Sequence, residues 1–413
     1  MSSSSQRSRP KVCVVAEFYP RRRDPVLGIW AHRQALAARD AGADVRVLAL
    51  ERPIPPVATA RALRHGDPRP LGRSLRAIAV QPRSERRDGL EVEYVRFVAP
   101  PRESAYPSWH RYAQRPLARA LERLWSRWPF EAVHAHYALP AGAAALGFCR
   151  RRGLPLVVSV HGGDLYLTDP AVPPRVAAVL RTAAAVLCNS QDTLTKAAAL
   201  TGSEQRMRVV HLGAAAPDPP PPRHERLTVA TLGHLIARKR AADVARAVRL
   251  VSERAASPAL ERLRWVVIGE GPERPALERL CEQLGMTDRV KLMGQLPPER
   301  ALEELARCHV MALPSVDEAF GVAYAEALAC GLPAIGCLGE GGPQEVSALG
   351  EGMTLVPPGD IPALAGALEH LLADPTRLRE RSKAAAATAS EHFSWQRCGE
   401  ATVAAYRDVT RPA

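Results

Sequence analysis

With 413 residues, 46% of them hydrophobic and 24% charged, the chain is long for one core. It has the composition of a globular protein of about two domains, which excludes a fibrous or largely disordered one. Its formal charge of +13 is carried almost wholly by arginine; the lysines are Lys11, Lys196, Lys239, Lys291 and Lys383. The opening, MSSSSQRSRP, reads as a polar tail without the apolar stretch of a signal peptide. KVCVVAEFYP is a short apolar run with turn residues behind it, which predicts a buried strand. A helix is expected from about Gly28 to Ala41, and DVRVLAL reads as the next strand. Strand, helix and strand at this spacing form a βαβ unit and predict a parallel sheet. Residues 52–90 are rich in proline and arginine and weakly periodic, and read as a long, partly mobile excursion. VEYVRFV, AVHAH, LPLVVSV and AAVLCNS continue the strands.

PDPPPP at 217–222 removes backbone donors and stiffens the chain, so it reads as a linker. The alternation then restarts with LTVATLG, RWVVIGEG, RVKLMGQL, HVMALPS, LPAIG and MTLVPPGD. The expected fold class is α/β, with two doubly wound halves. The expected boundaries are a tail at 1–10, a first domain at 11–216, a linker at 217–226, a second domain at 227–390 and a helical segment at 391–413. Ligands of such sheets bind beyond the carboxyl ends of the strands, and two halves facing each other would enclose a cleft there.

The eight cysteines stand singly with no Cys-x-x-Cys pair, which fits a reducing cytoplasm better than a disulfide framework. No apolar run reaches the ~18 to 20 residues of a membrane span, so membrane contact is expected to be peripheral. Residues 52–127 hold sixteen arginines against seven acids, a balance suited to an anionic membrane or an acidic substrate. Nucleic acid is not expected as a partner. Trp109, Trp125 and Trp128 read as helix core or groove residues, and no nucleic-acid module signature occurs.

The stretch EAFGVAYAEALACG, residues 318–331, spaces two glutamates eight positions apart around a Phe-Gly loop that opens a helix. Helix-opening amides near Phe320, Gly321 and Val322 make an anion site, and the glycine permits close approach of a ligand to the backbone. Carboxylates accept hydrogen bonds from hydroxyls. Glu326, a turn and a half into the helix, suits a ribose and Glu318 a hexose, with a diphosphate on the helix end. A solvated helix with an acid at each end is the competing explanation. No Asp-x-Asp pair and no His/Cys cluster at ligand spacing occurs, so no metal is expected. Neither a P-loop nor Gly-x-Ser-x-Gly is present, and GEGPER breaks a dinucleotide fingerprint at its last glycine.

This stretch, with ACGLPAIG after it, resembles the retaining glycosyltransferases of family 4 type, which have the GT-B fold. TLGHLIARKR, VVIGEGPERPAL, VHAHYALPAG and VSVHGGD resemble four further segments of that family, so the resemblance spans about residues 10–410. It implies two Rossmann-like domains facing across a cleft. It also implies transfer of a hexose-type sugar from a nucleoside diphosphate sugar to an acceptor hydroxyl, with retention, in polysaccharide or glycolipid assembly. In that reading Lys239 neutralises the leaving diphosphate and His161 supports the sugar. Glu318 and Glu326 hold sugar and ribose hydroxyls, and Glu270 lies near the base and ribose. His234 stands where the family usually has an arginine, with Arg238 or Arg240 available to compensate. Gly28, His134 and His136 fall on the acceptor side, and Asp164 reads as a structural cap. UDP is expected ahead of GDP, with no cofactor and no metal. The acceptor is expected to be a glycan or lipid-linked, and the protein cytoplasmic, with peripheral contact at the inner face of the membrane through its basic first domain. A non-catalytic GT-B partner that binds a nucleotide sugar or glycan, and a sugar-nucleotide epimerase, are the alternatives.

Overall fold

The computed structural model describes residues 9–55, 57–166, 169–255 and 257–411; the first eight residues of the expected tail and the final two lie outside them. The chain divides into two compact units. The first comprises Met1–Asn189, Thr193–Val210 and Gln396–Ala413, the second Ser190–Asp192 and His211–Trp395.

In the first unit eight strands form one sheet: β1 (Lys11–Ala16), β2 (Asp44–Glu51), β3 (Ser84–Arg87), β4 (Leu90–Arg96), β5 (Ala132–His136), β6 (Leu156–Val160), β7 (Ala185–Cys188) and β8 (Met207–Val209). Their order is β3-β4-β2-β1-β5-β6-β7-β8. Among the described residues only the β3–β4 pair of this sheet is antiparallel. β5, β6 and β7 are buried along their whole length, as strands covered by helices on both faces must be. That explains why they read as continuous apolar runs. The order reverses between β1 and β5, so the loops that follow these two strands flank the switch point where ligands of such sheets bind.

The second unit carries β9 (Thr228–Leu232), β10 (Arg264–Ile268), β11 (Val290–Gly294), β12 (Val310–Ala312), β13 (Ala334–Cys337) and β14 (Met353–Val356). They form a parallel sheet in the order β11-β10-β9-β12-β13-β14. Its reversal lies between β9 and β12. Each unit has its own core, with Trp265 fully buried in the second and Phe130 and Phe148 packed together in the first.

Two expectations are corrected, and the packing of the final helix, which the sequence leaves open, is added. Residues 52–90 hold two helices, Val57–Arg64 and Arg69–Val80, followed by β3. The arginines that obscured their period lie along one side of Arg69–Val80, with Leu71, Leu75 and Ile78 opposite. The second unit begins at His211, ahead of the proline run, because His211 is already committed to it. His211 Nε2 lies 2.6 Å from Glu345 Oε1, and its ring stacks on Phe320. The final helix, Trp395–Thr410, joins the first unit: Thr402 Oγ1 accepts from Gln34 Nε2 at 3.0 Å, and Gly399 lies against the Ala37 carbonyl.

Candidate active site

Each unit gathers polar side chains at its own switch point. In the second unit the loops after β9 and β12 supply the charges. The first forms a single 3-10 turn, Ala237–Lys239, before the helix Ala241–Glu253. Lys239 Nζ bonds directly to Glu318 Oε2 on the second loop. Ser315 Oγ donates to the same carboxylate oxygen at 2.9 Å, and Arg238 Nη1 stands 3.6 Å away. The two loops are also tied through backbone, Val316 N donating to Arg238 O at 2.9 Å. Burial pushes the Glu318 carboxyl up, but Lys239, Arg238 and the Ser315 hydroxyl outweigh it and hold the carboxyl below its ordinary value. Glu318 is therefore an anion that can only accept hydrogen bonds.

Below this pair the loop is fixed from inside the unit. Tyr324 OH donates to Leu313 O at 2.5 Å and lies 3.1 Å from Ser315 Oγ. Glu340, at the end of the β13 loop, accepts from Glu318 N at 3.1 Å. Gly321 adopts φ 77°, and a β-carbon there would stand 2.4 Å from the Tyr324 ring, so this turn requires glycine. The helix Val322–Ala329 starts directly behind it. Val322 and Glu326 lie one turn apart on its partly exposed side, while Tyr324 and Ala325 are buried. Helix end, lysine, arginine and carboxylate thus converge at the carboxyl ends of β9 and β12, an arrangement suited to a diphosphate beside a hydroxyl-rich group.

The remaining predicted donor residues lie around this centre with different surroundings. Glu270 follows β10, pairs with Arg274 Nη1 at 2.9 Å and approaches Gly294 at the end of β11. His234 is exposed on the β9 loop. Arg240 is held by Asp243 at 2.6 Å, so of the two arginines expected to compensate for His234 it is Arg238 that reaches the carboxylate. Phe320 is buried between His211 and Phe393. Its side chain belongs to the core, and only its backbone can face a ligand.

In the first unit His161 follows β6, and its Nε2 lies 2.9 Å from His136 Nδ1. The two rings are stacked, with centroids 5.2 Å apart. His161 Nδ1 and His136 Nε2 are buried without a hydrogen-bond partner. Burial pulls His161 down to about 3 and His136 well below its ordinary value, so both rings are neutral at pH 7. With both neutral, the shared proton leaves one outer nitrogen a donor and the other an acceptor. His134 is corrected. It is fully buried on β5, bonded to Tyr406 OH at 2.7 Å and Ser159 Oγ at 2.8 Å, and serves the core rather than an acceptor. Asp164 does more than cap a turn. It accepts from Ala138 N at 2.9 Å and His161 N at 3.4 Å, tying the β5 and β6 loops together, and burial lifts it to about 7. Gly28 caps the helix Ile29–Asp40 at φ 64°, and a β-carbon would overlap the Phe18 carbonyl.

Ser315, Tyr324 and Glu340 escaped the sequence reading, as did Glu17 on the β1 loop. Glu17 is buried. It accepts from Tyr106 OH at 2.7 Å and pairs with Arg102 at 3.2 Å. Burial raises its carboxyl against both of these partners. Its signal was legible: an acid at the carboxyl end of a buried strand. Tyr137, beside His161, holds a positive φ of 73° that L-residues rarely adopt, and such strain concentrates at functional sites.

Two family descriptions match the chain. Residues 216–389 match "Glycosyl transferases group 1" and residues 28–213 match "Glycosyl transferase 4-like domain". A D-inositol 3-phosphate glycosyltransferase of Stackebrandtia nassauensis is 30% identical over 314 residues, which are 68% of each protein. A 2-deoxystreptamine glucosyltransferase of Streptomyces kanamyceticus is 28% identical over 71% of this chain and 82% of its own length. An exopolysaccharide phosphotransferase of Streptomyces coelicolor is 41% identical over 119 residues, a stretch covering only 12% of that longer protein. Among solved structures, Anabaena HepE with UDP and glucose superposes with a TM-score of 0.70 at 16% identity, over 97% of this chain and all of that one.

Proposed function

The chain belongs to the family 4 type of GT-B glycosyltransferases and is a transferase, and we propose that it moves a hexose-type sugar from a nucleoside diphosphate sugar to an acceptor hydroxyl with retention at the anomeric carbon. The observation that carries this reading is the Lys239–Glu318 pair, with Arg238 and the Gly321 helix end, at the β9/β12 switch point. An arriving diphosphate competes with Glu318 for Lys239 and Arg238, and the released carboxylate accepts hydroxyls of the sugar. The bond from the anomeric carbon to the diphosphate oxygen breaks, and the acceptor oxygen bonds to that carbon on the same face. The acceptor proton passes to the leaving phosphate. Lys239, Arg238 and the helix amides stabilise the charge that develops there, the role a metal would otherwise take. Glu326 is proposed to hold the ribose, and the His136–His161 pair to support the sugar.

UDP is proposed ahead of GDP, supported by the HepE complexes with UDP and with UDP-glucose. A glycan or lipid-linked acceptor at a membrane surface is supported by the helix Arg69–Val80. Arg69, Arg73 and Arg76 share one side of it, Leu75 is half exposed on the other, and Val80 and Leu63 are exposed nearby. Helices of this pattern lie in anionic interfaces. No helix of the described residues is long and apolar enough to cross a membrane.

The test is a thermal-shift panel of UDP, GDP, ADP and their sugars, without metal and with magnesium. UDP at 100 times its dissociation constant is expected to stabilise the protein by about 2.7 kcal/mol. Lys239→Ala should abolish the shift and magnesium should leave it unchanged. No shift with any nucleotide would overturn the donor site.

A further inference from the structure

We propose that a second anion site, for a phosphate group carried by the acceptor, lies in the first unit at the carboxyl ends of β1, β2 and β4. This deepens the transferase reading and rests on it. A cavity of about 580 Å³ opens there. Arg21, Arg23, Arg52, Arg73 and Arg102 line it, against the two acids Glu17 and Asp24. Both acids are already engaged. Glu17 has Arg102 and Tyr106, and Asp24 Oδ1 accepts from Leu27 N at 3.1 Å.

Arg21 is the central observation. It is 8% exposed. Its Nη2 donates to two backbone carbonyls, Leu50 O at 2.8 Å and Glu17 O at 3.2 Å, while its buried Nε has no partner. A buried guanidinium is costly to keep charged, and an anion in the cavity that Arg21 lines would offset that charge. The surroundings hold it in place. Arg22 N donates to the buried Gln81 at 2.9 Å, at the end of the helix Arg69–Val80. That helix turns Arg73, Ser74 and Ala77 toward the cavity.

Three net positive charges around one opening suit a phosphate better than a neutral hydroxyl group, and the guanidinium fork matches its oxygens. Phe18, Leu50, Phe97 and Trp109 form an apolar wall beside the arginines. The phosphate can thus belong to a soluble phosphoester or to a lipid whose chain follows that wall.

The test is calorimetric titration of the full chain carrying Lys239→Ala, so that phosphate does not report the donor site. Inorganic phosphate and n-octyl phosphate are the probes, with UDP on the unmodified protein as control. Saturable phosphate binding is expected. The paired change Arg23→Gln with Arg73→Gln alters two exposed side chains that folding does not require, and should weaken binding at least fivefold. Glu17→Gln removes the nearest opposing charge while keeping the side chain's shape, and should tighten binding about threefold; a purely structural role predicts no gain. Octyl phosphate binding tenfold tighter than phosphate assigns the site to a lipid, and equal binding assigns it to a soluble phosphoester. No saturable phosphate binding, or binding indifferent to both variants, overturns the proposal. A UDP signal that persists in that case leaves the transferase reading intact, whereas loss of the UDP signal alone sinks the donor site.

Discussion

Lys239 and Glu318 show how a side chain can be structural and functional at once. Both are largely buried, and each neutralises the other. Removing one partner of such a pair leaves a desolvated charge behind. Glu318→Gln keeps the shape and should lower stability by about 1 to 3 kcal/mol, measured by urea unfolding. It should cut kcat by roughly 10² to 10³, the cost of losing one preorganised hydrogen-bonding group at the reacting centre. The sign of its pH dependence follows from the depressed carboxyl. The stabilisation is complete above the ordinary carboxylate range and disappears as pH falls through the lower value of the folded state. Glu318→Gln should remove that acid-side loss. Unchanged turnover in the variant would refute the assigned role.

At the scale of elements, the final helix illustrates what a distant segment contributes. Tyr406 reaches His134 on β5 across 272 positions of sequence, and burial keeps that imidazole neutral, down to about 3. Tyr406→Phe strands the His134 Nδ1 and should cost about 1 to 3 kcal/mol. Hydrogen exchange should show the loss in the β5 amides and leave those of β9 unchanged. Equal loss in both sheets would show that the helix does not serve the first unit alone. The helix Arg69–Val80 carries a different expectation. Charge reversal of Arg69, Arg73 and Arg76 should abolish sedimentation with vesicles rich in anionic lipid. If the unmodified protein does not sediment with such vesicles, the proposed membrane contact fails.

For the molecule as a whole, the buried imidazoles set an acid limit. Unfolded histidines take up protons below about pH 6.5. His134 and His161 stay neutral in the fold to about 3. Between these values the unfolded chain binds more protons at these two positions, so the rings make the first unit less stable as pH falls. The slope is at most about 1.4 kcal/mol per pH unit for each ring. Exchange of β5 and β6 amides from pH 7 to 4 measures it, and His161→Gln should make the slope shallower. Asp164 and Glu17, whose carboxyls burial raises, oppose this slope, so the deciding quantity is the difference between the two proteins: an unchanged slope in His161→Gln would mean that this ring is charged inside the fold.

The alternation of apolar runs and helical periods, with Gly28 and Gly321 at their turns, was enough to read two parallel-sheet halves and to put Glu318 and His161 at strand ends, while the place of Lys239 came from the family resemblance. Those features are local, because strand period, helix start and glycine's freedom depend on a few neighbouring residues. The two helices within 52–90 were missed because their apolar stripe is narrow and the arginines interrupt it. Tertiary structure alone decided the rest. Ser315, Tyr324 and Glu340 became parts of the site only when the loops after β12 and β13 met. The Phe320 side chain and His134 turned inward because His211, Phe393 and Tyr406, remote in sequence, enclosed them. Which side of a polar or aromatic residue meets water depends on packing between distant segments, and no local pattern of residue types records that.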